Sequence, residues 1–336
     1  MLIGSTYGIF RIMFSGIKGN ELERVKCPVC ASGEFSPFMK QHNHTLVRCN
    51  YCGFVYLNPR PPADQILNYY DPDFWWGNDA STKSRRNFFG RIESMFLNLK
   101  MNAALKLLMK HQKTGKILDV GCGNGRFMEL CINKGFDIYG VEPSEEARSR
   151  MTGNVKKRII GKYLDGLNSL KGEFDSVLLI HSLEHMHNPR ESLDAVNQAL
   201  KSNGILFIQV PNIGSMQARI LGSKWGWLFL PQHLNQFTVN TIGKLLNEAG
   251  FEISATERVP AIFNAGGWVS SFLPWNPAMF HLERPGFSLW VKKFFYFCLL
   301  LLFLPVSAMD NIITGGGILT VIARKKVLDI GKKICI

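Results

Sequence analysis

From residue 116 to residue 259, short apolar runs alternate with segments whose apolar positions recur at helical spacing. Residues 116–122 (KILDVGC) form an apolar run ending in glycines, which predicts a strand entering a tight turn. A helix is predicted over 125–135, with Phe127, Leu130 and Cys131 on one side and Gly135 suited to the left-handed position past its end. Residues 137–142 predict a second strand. Ser144 then caps a helix whose first turn carries Glu145 and Glu146, where carboxylates meet the positive end of the helix dipole. Residues 174–180 (FDSVLLI) predict a buried strand. Asn188-Pro189-Arg190-Glu191 opens the next helix, with Asn188 as cap and Glu191 reaching back. A strand at 205–210, a helix from the Thr238 cap to Gly250 and a strand at 251–259 complete the series. Such alternation implies crossover connections and a mostly parallel sheet covered on both faces.

Two insertions interrupt it. Residues 213–237 form a lid segment with Trp225, Trp227, His233 and Asn235, and packing of the lid is the stronger reading for the two tryptophans. Residues 260–316 precede a final strand at 317–324. The chain therefore divides into an apolar lead (1–24), a cysteine-bearing module (25–60), a helical linker or cover (61–115) and a sheet domain (116–336). Tyr69 and Tyr70 in the cover suit either closure over a ligand or core packing.

Chemistry concentrates at the predicted strand ends. Asp119-Val-Gly121-Cys122-Gly123-Asn-Gly125 lies where the first strand meets the first helix. Glycines there let the backbone approach a ligand closely. Arg126 stands where a dinucleotide fingerprint wants its third glycine, which works against a pyrophosphate. Glu142 ends the second strand 23 residues after Asp119, where a carboxylate can accept both hydroxyls of an adenosine ribose. At the fourth-strand end, His181-Ser-Leu-Glu184-His185 is dense in titratable groups, and His185 is the first candidate general base.

LDVGCGNG, GVEPS, LLIHSLEHMHNP and AGFEI, in this order and spacing, resemble class I S-adenosylmethionine (SAM) dependent methyltransferases over residues 116–259. The resemblance implies a Rossmann-like α/β fold with a seven-stranded sheet whose last strand is antiparallel. It implies SAM over the carboxyl ends of the strands, with Asp119, Gly121, Cys122, Gly123 and Gly125 at its methionine end. Glu142 would take the ribose, Asp165 would reach the adenine, and His181 would join the cofactor site. Ubiquinone-type O-methyltransferases can hold a divalent ion with a carboxylate three residues before the Glu. His181 occupies that place here, a departure that counts against a metal. His233, in a Pro-x-His-Leu segment similar to one on the family's substrate side, is the second candidate base. Residues 54–75 look like the linker of bacterial methyltransferases that carry an amino-terminal zinc ribbon, many of them serving surface-polysaccharide or sugar-nucleotide pathways.

That module holds Cys27-x-x-Cys30, 18 residues, then Cys49-x-x-Cys52. Two such pairs at this spacing predict a structural Zn²⁺ site of four thiolates, closed to catalysis, without His42 or His44.

Composition narrows the remaining choices. With 336 residues, 46% hydrophobic and 19% charged, the chain can build a large core and is not wholly disordered. Arg11 interrupts the apolar start, which argues against a secretory leader and for a reducing cytoplasm. A net charge of +13 favours anionic partners. Residues 294–309 carry no charge, but a helix of 16 residues spans only about 24 Å, so a peripheral contact on the inner face of a membrane is expected rather than a span. The resulting expectation is methyl transfer from SAM to oxygen of a small-molecule or lipid-linked glycan precursor. The alternative is a nucleic-acid methyltransferase that holds RNA with the ribbon. It is disfavoured because the fourth strand ends in HSLEH and no arginine-rich tract is present.

Overall fold

The structure is a computed structural model that describes residues 22–71, 75, 88–164, 170–273, 275, 280 and 286–326. The cysteine module contributes β1 (Phe35–Gln41), β2 (His44–Cys49) and β3 (Val55–Leu57). Of the expected helical cover, the described parts are one 3₁₀ turn at Ile66–Tyr69 and α1 (Phe88–His111).

The alternating series then appears much as the pattern implied. In order come β4 (Lys116–Val120), α2 (Arg126–Asn133), β5 (Asp137–Val141), α3 (Glu145–Ser149), α4 (Gly153–Lys156), β6 (Ile159–Gly161) and β7 (Phe174–Ile180). They are followed by α5 (Pro189–Ala199), β8 (Leu200–Pro211), α6 (Met216–Leu221), β9 (Asn235–Gln236), α7 (Val239–Glu248) and β10 (Phe251–Glu257). Three helices, α8 (Ala261–Phe272), α9 (Phe287–Leu302) and α10 (Leu304–Thr314), precede β11 (Ile318–Lys325).

Seven strands form one sheet in the order β10-β11-β8-β7-β4-β5-β6. Leu118 of β4 lies beside Tyr139 of β5 and Val177 of β7, both pairings parallel. The last strand, β11, is antiparallel to both neighbours, with Leu319 opposite Val210 and Thr320 opposite Glu257. The central strands are buried nearly throughout (Ile117, Leu118, Val177 and Leu178 are fully covered), as a sheet with helices on both faces requires.

Local signals held with small differences. Ser144 Oγ accepts from Ala147 N at 3.2 Å, and Thr238 forms a reciprocal box with Thr241. Asn188 precedes α5, but its side chain does not cap the backbone; its Nδ2 donates to Glu191 Oε2 instead, so the expected backward bond is side chain to side chain. In α2 the fully buried side chains are Met128 and Cys131, while Phe127 and Leu130 are only partly covered.

The cysteine module is continuous with the larger domain. Its sheet runs β1-β2-β3-β9, and β9 belongs to the lid segment. Val55 pairs with Gln236 and Tyr56 with Asn235, while Leu57 N donates to Leu234 O at 2.8 Å. Arg60, nearly buried, binds Glu23 and donates to the His187 carbonyl beyond the fourth-strand end.

Candidate active site

The turn after β4 needs its glycines. Gly121, Gly123 and Gly125 take φ of 76°, 56° and 75°, a left-handed region that L side chains rarely enter. A Cβ on Gly121 would stand 2.8 Å from Ser182 Cβ, and one on Gly125 would stand 2.4 Å from Val155 Cγ1. Gly121 N donates to Val141 O at 2.9 Å, so the turn is pinned to the end of β5.

Glu142 completes that pin. It is buried; its Oε2 accepts from Gly123 N at 2.8 Å and its Oε1 from Ser144 N at 2.9 Å. Burial raises its pKa, partly offset by these two N–H groups and by Arg148. Asp119, buried at the end of β4, has its carboxyl pushed up to about 7 by burial and then by the charge of Glu142. Two carboxylates so placed favour a cationic ligand group. Cys122 sits beside them, its thiol raised well above the ordinary value by burial and by Asp119. Asp165 lies outside the described residues.

β7 ends in a second cluster. His181 adopts φ 53°, rare for a residue with a side chain, and its N–H donates to Gln209 O at 2.8 Å. Its Nδ1 is 3.5 Å from Glu184 Oε1, an ion-pair rather than a hydrogen-bond distance. Glu184 is only 1% exposed, and neither carboxylate oxygen has a hydrogen-bond partner among the described residues. Burial would raise its pKa, but His181 beside it holds it below the usual carboxylate range.

His185 Nδ1 lies 3.0 Å from Gln232 O and 2.7 Å from Tyr70 Oη. A carbonyl can only accept, so Nδ1 carries the proton and Nε2 keeps its lone pair. Burial lowers the pKa of His185, outweighing Glu184 and the Gln232 carbonyl, so the ring is neutral near pH 7. The ring centroid of His233 is 4.7 Å away. Burial and then His185 push His233 down to about 3, too low for an effective proton acceptor at neutral pH. Trp75 meets His185 and Phe229 edge to face and lies tilted against His233. Trp225 is buried in the lid, with Nε1 donating to Gln217 Oε1 at 3.0 Å.

Sequence reasoning passed over Gln232, whose carbonyl fixes the tautomer, and Lys100 of α1. Burial lowers the Lys100 ammonium while the charge of Glu184 pulls it back up, which puts a cation within electrostatic reach of the cluster. Nothing near Lys100 in the chain marks it.

The four cysteines converge. Cys27 Sγ and Cys52 Sγ are 3.5 Å apart, as are Cys30 Sγ and Cys49 Sγ, and all four lie within 4.8 Å of one another. These separations exceed a disulfide's roughly 2.05 Å. They fit the edges of a tetrahedron with Zn–S bonds of about 2.3 Å. The two knuckles share one backbone design. Cys27 N donates to Ser32 O and Cys49 N to Phe54 O, while Ala31 N and Gly53 N return to the carbonyls of Cys27 and Cys49. Ala31 and Gly53 are both left-handed.

Residues 94–256 match the family described as "Methyltransferase domain". The glycine turn and the Glu142 contact lie within that segment. Over that segment the chain is similar to methyltransferase domains. Its relatives include ubiquinone biosynthesis O-methyltransferases. The one from Actinobacillus pleuropneumoniae serotype 7 (strain AP76) is 27% identical over 36% of this chain and 57% of its own length. The one from Pelagibacter ubique (strain HTCC1062) is 27% identical over 47% of this chain and 68% of its own. The chain thus spans little more than half the length of the Actinobacillus relative. A SAM-dependent methyltransferase from Archaeoglobus fulgidus is a further structural neighbour: 20% identical, covering 71% of this chain and 100% of that one, with a TM-score of 0.45. The seven-stranded sheet puts the glycine turn, Glu142 and the β7 cluster at the carboxyl ends of adjacent strands, the crevice where ligands bind in open α/β sheets.

Proposed function

We propose that this protein transfers the methyl group of SAM to an oxygen of a small-molecule acceptor, a glycan precursor that is either free or lipid-linked. The observation that carries the reading is the bond from Gly123 N to Glu142 Oε2, which unites a left-handed glycine turn with a buried strand-end carboxylate. SAM supplies an electrophilic sulfonium methyl. Glu142 would accept from ribose hydroxyls through its remaining lone pairs. Asp119 and the glycine turn would hold the methionine end, whose ammonium relieves the repulsion between the two carboxylates. Cys122 and His181 would line the same cradle, and Asp165 is retained for the adenine on resemblance alone.

His185 would take the acceptor proton at Nε2, with Gln232 O and Tyr70 Oη holding the ring in the necessary tautomer. Glu184 would stabilise the imidazolium as it forms. His233, poorly basic, would pack and orient His185 rather than accept the proton itself. Zn²⁺ on Cys27, Cys30, Cys49 and Cys52 would be structural, since four thiolates leave no open position. The domain boundaries read from the chain suit this division of labour.

The test is calorimetric titration with SAM, followed by transfer of labelled methyl to a panel of nucleotide sugars and lipid-linked sugars. Failure to bind SAM would overturn the reading; transfer to RNA alone would replace the acceptor class.

A further inference from the structure

The cluster at the end of β7 is built of hydrogen-bond acceptors. Glu184 is 1% exposed, and neither of its oxygens has a hydrogen-bond partner among the described residues. His181 beside it keeps it ionised. Neutral His185 commits its N–H to Gln232 O, so Nε2 offers a lone pair. On His233, the Trp227 carbonyl acts on the ring, while Nδ1 is buried without a partner. The proton of that ring therefore sits on Nε2, and Nδ1 offers a further lone pair. A carboxylate oxygen of Glu184, a ring nitrogen of His185 and one of His233 lie within 4.8 Å of one another. Buried acceptors without a donor are costly, so this cluster is completed by a group that brings hydrogens to it.

Lys100 decides between a cation and neutral donors. α1 buries Ala104, Leu107 and Leu108, and Lys100 lies on the same face, one turn before Ala104. Phe96, one turn earlier, meets Phe263 of α8 at 5.4 Å. Lys100 thus approaches from the inward side of the helix, and its ammonium feels the charge of Glu184. No salt bridge joins the two among the described residues. The lysine balances the carboxylate from a distance and leaves its lone pairs unfilled, which suits hydroxyl groups rather than a divalent ion. The cluster is open to such a ligand, since the His181 side chain is 33% exposed. Hydroxyls on adjacent carbons can each reach an acceptor at about 2.7 Å across a gap of this width.

We propose that Glu184 selects the methyl acceptor: it takes a hydrogen bond from the hydroxyl next to the one being methylated, so the substrate is a vicinal diol. The inference rests on the methyl-transfer reading above and narrows the oxygens that reading can use. The reacting hydroxyl donates to His185 Nε2 and its neighbour to Glu184. As the carbon–sulfur bond of the donor breaks and the new carbon–oxygen bond forms, the proton of the reacting hydroxyl passes to His185 Nε2. The neighbouring hydroxyl is unchanged. A monomethylated product has lost one of the two donors, so transfer stops after one methyl.

The experiment measures transfer of labelled methyl from SAM to nucleotide sugars and lipid-linked sugars, each beside its monodeoxy and mono-O-methyl analogues. The wild type is expected to favour the diol by about 10- to 100-fold in kcat/KM, the worth of one hydrogen bond to a charged group. Glu184→Gln is expected to shrink that ratio to about threefold, the worth of a neutral hydrogen bond. Weaker support of the imidazolium slows both substrates alike, so the ratio isolates the second hydroxyl. The wild-type ratio tests the proposal even where the variant does not fold. Equal transfer to the diol and its analogues overturns the proposal, and so does a ratio that survives Glu184→Gln. A second equivalent of metal, beyond the four-cysteine site and lost in Glu184→Gln, would put a cation in the cluster and overturn it as well. SAM binding is scored separately by calorimetry. Its failure, or transfer to no member of the panel, overturns the methyl-transfer reading and this inference together, whereas equal transfer overturns this inference alone.

Discussion

Tyr56 of the cysteine module and Asn235 of the lid are paired across two strands of one small sheet, and Asn235 Nδ2 donates to the Met186 carbonyl one residue beyond His185. The four-cysteine cluster is therefore linked to the candidate base through one strand pair and one side chain.

Stripping zinc should then disturb catalysis from a distance. Incubation with a chelator, or Cys52→Ser, is expected to lower the melting temperature and to reduce methyl transfer together. Bound metal contributes to folding, and β9 loses its partner when the module opens. Metal analysis with a parallel melt checks this; full activity at zero zinc would show the module to be independent.

Glu142→Gln keeps the side chain's shape but removes its charge and one acceptor. Affinity for SAM is expected to fall about 10- to 100-fold, the loss of a charge-assisted bond pair of roughly 1.5–3 kcal/mol. Calorimetry gives the number directly, and unaltered affinity would remove Glu142 from the ribose site.

Gly125→Ala tests the cradle by geometry rather than charge. The added methyl would meet Val155 Cγ1 at 2.4 Å in a residue held at φ 75°. A loss of about 1–3 kcal/mol in stability is expected from the strained conformation. A denaturant titration that shows no loss would mean that the turn relaxes.

His185→Ala is expected to lower kcat/KM by about 10²- to 10⁴-fold with little change in SAM affinity. Because burial holds the His185 pKa below 6.5, the wild-type rate should be flat through neutrality and fall only on the acid side of 6.5. A kcat/KM profile from pH 5 to 8 separates this from a purely architectural role.

Acid stability should single out His233. In the unfolded chain its imidazole has the ordinary pKa near 6.5, against about 3 in the fold. Above pH 6.5 both states are neutral there and the residue contributes no pH dependence. Below 6.5 the unfolded chain binds a proton that the native state refuses, so stability falls by up to roughly 1.4 kcal/mol per pH unit toward pH 3. Asp119, raised to about 7, acts in the opposite sense between pH 7 and 3.8. The informative quantity is therefore the wild type minus His233→Gln difference in melting temperature, which should grow steadily more negative as the pH is lowered from 6.5 to 4.

The sheet was legible in the chain because its strands are short apolar runs bounded by glycines and caps, features that act within a few residues. Glu142 and the glycine turn were legible for the same reason, as they sit at consecutive strand ends. Tyr70 on His185 was not, since that contact joins residues 115 apart and depends on how the cover packs. Nor was the strand β9: Asn235-Gln236 has no apolar alternation, and it becomes a strand only because β3 offers an open edge. The tautomer of His185 rests on a backbone carbonyl, a group every residue possesses and no sequence pattern marks.

The partnership of β10 and β11 makes 260–316, despite the three helices among its described residues, the loop of a hairpin. Loops of this kind lengthen at a closure cost of only about 0.6 kcal/mol per doubling, leaving strand order and register alone. The whole appendage can thus be exchanged as a cassette without redesigning the scaffold beneath it.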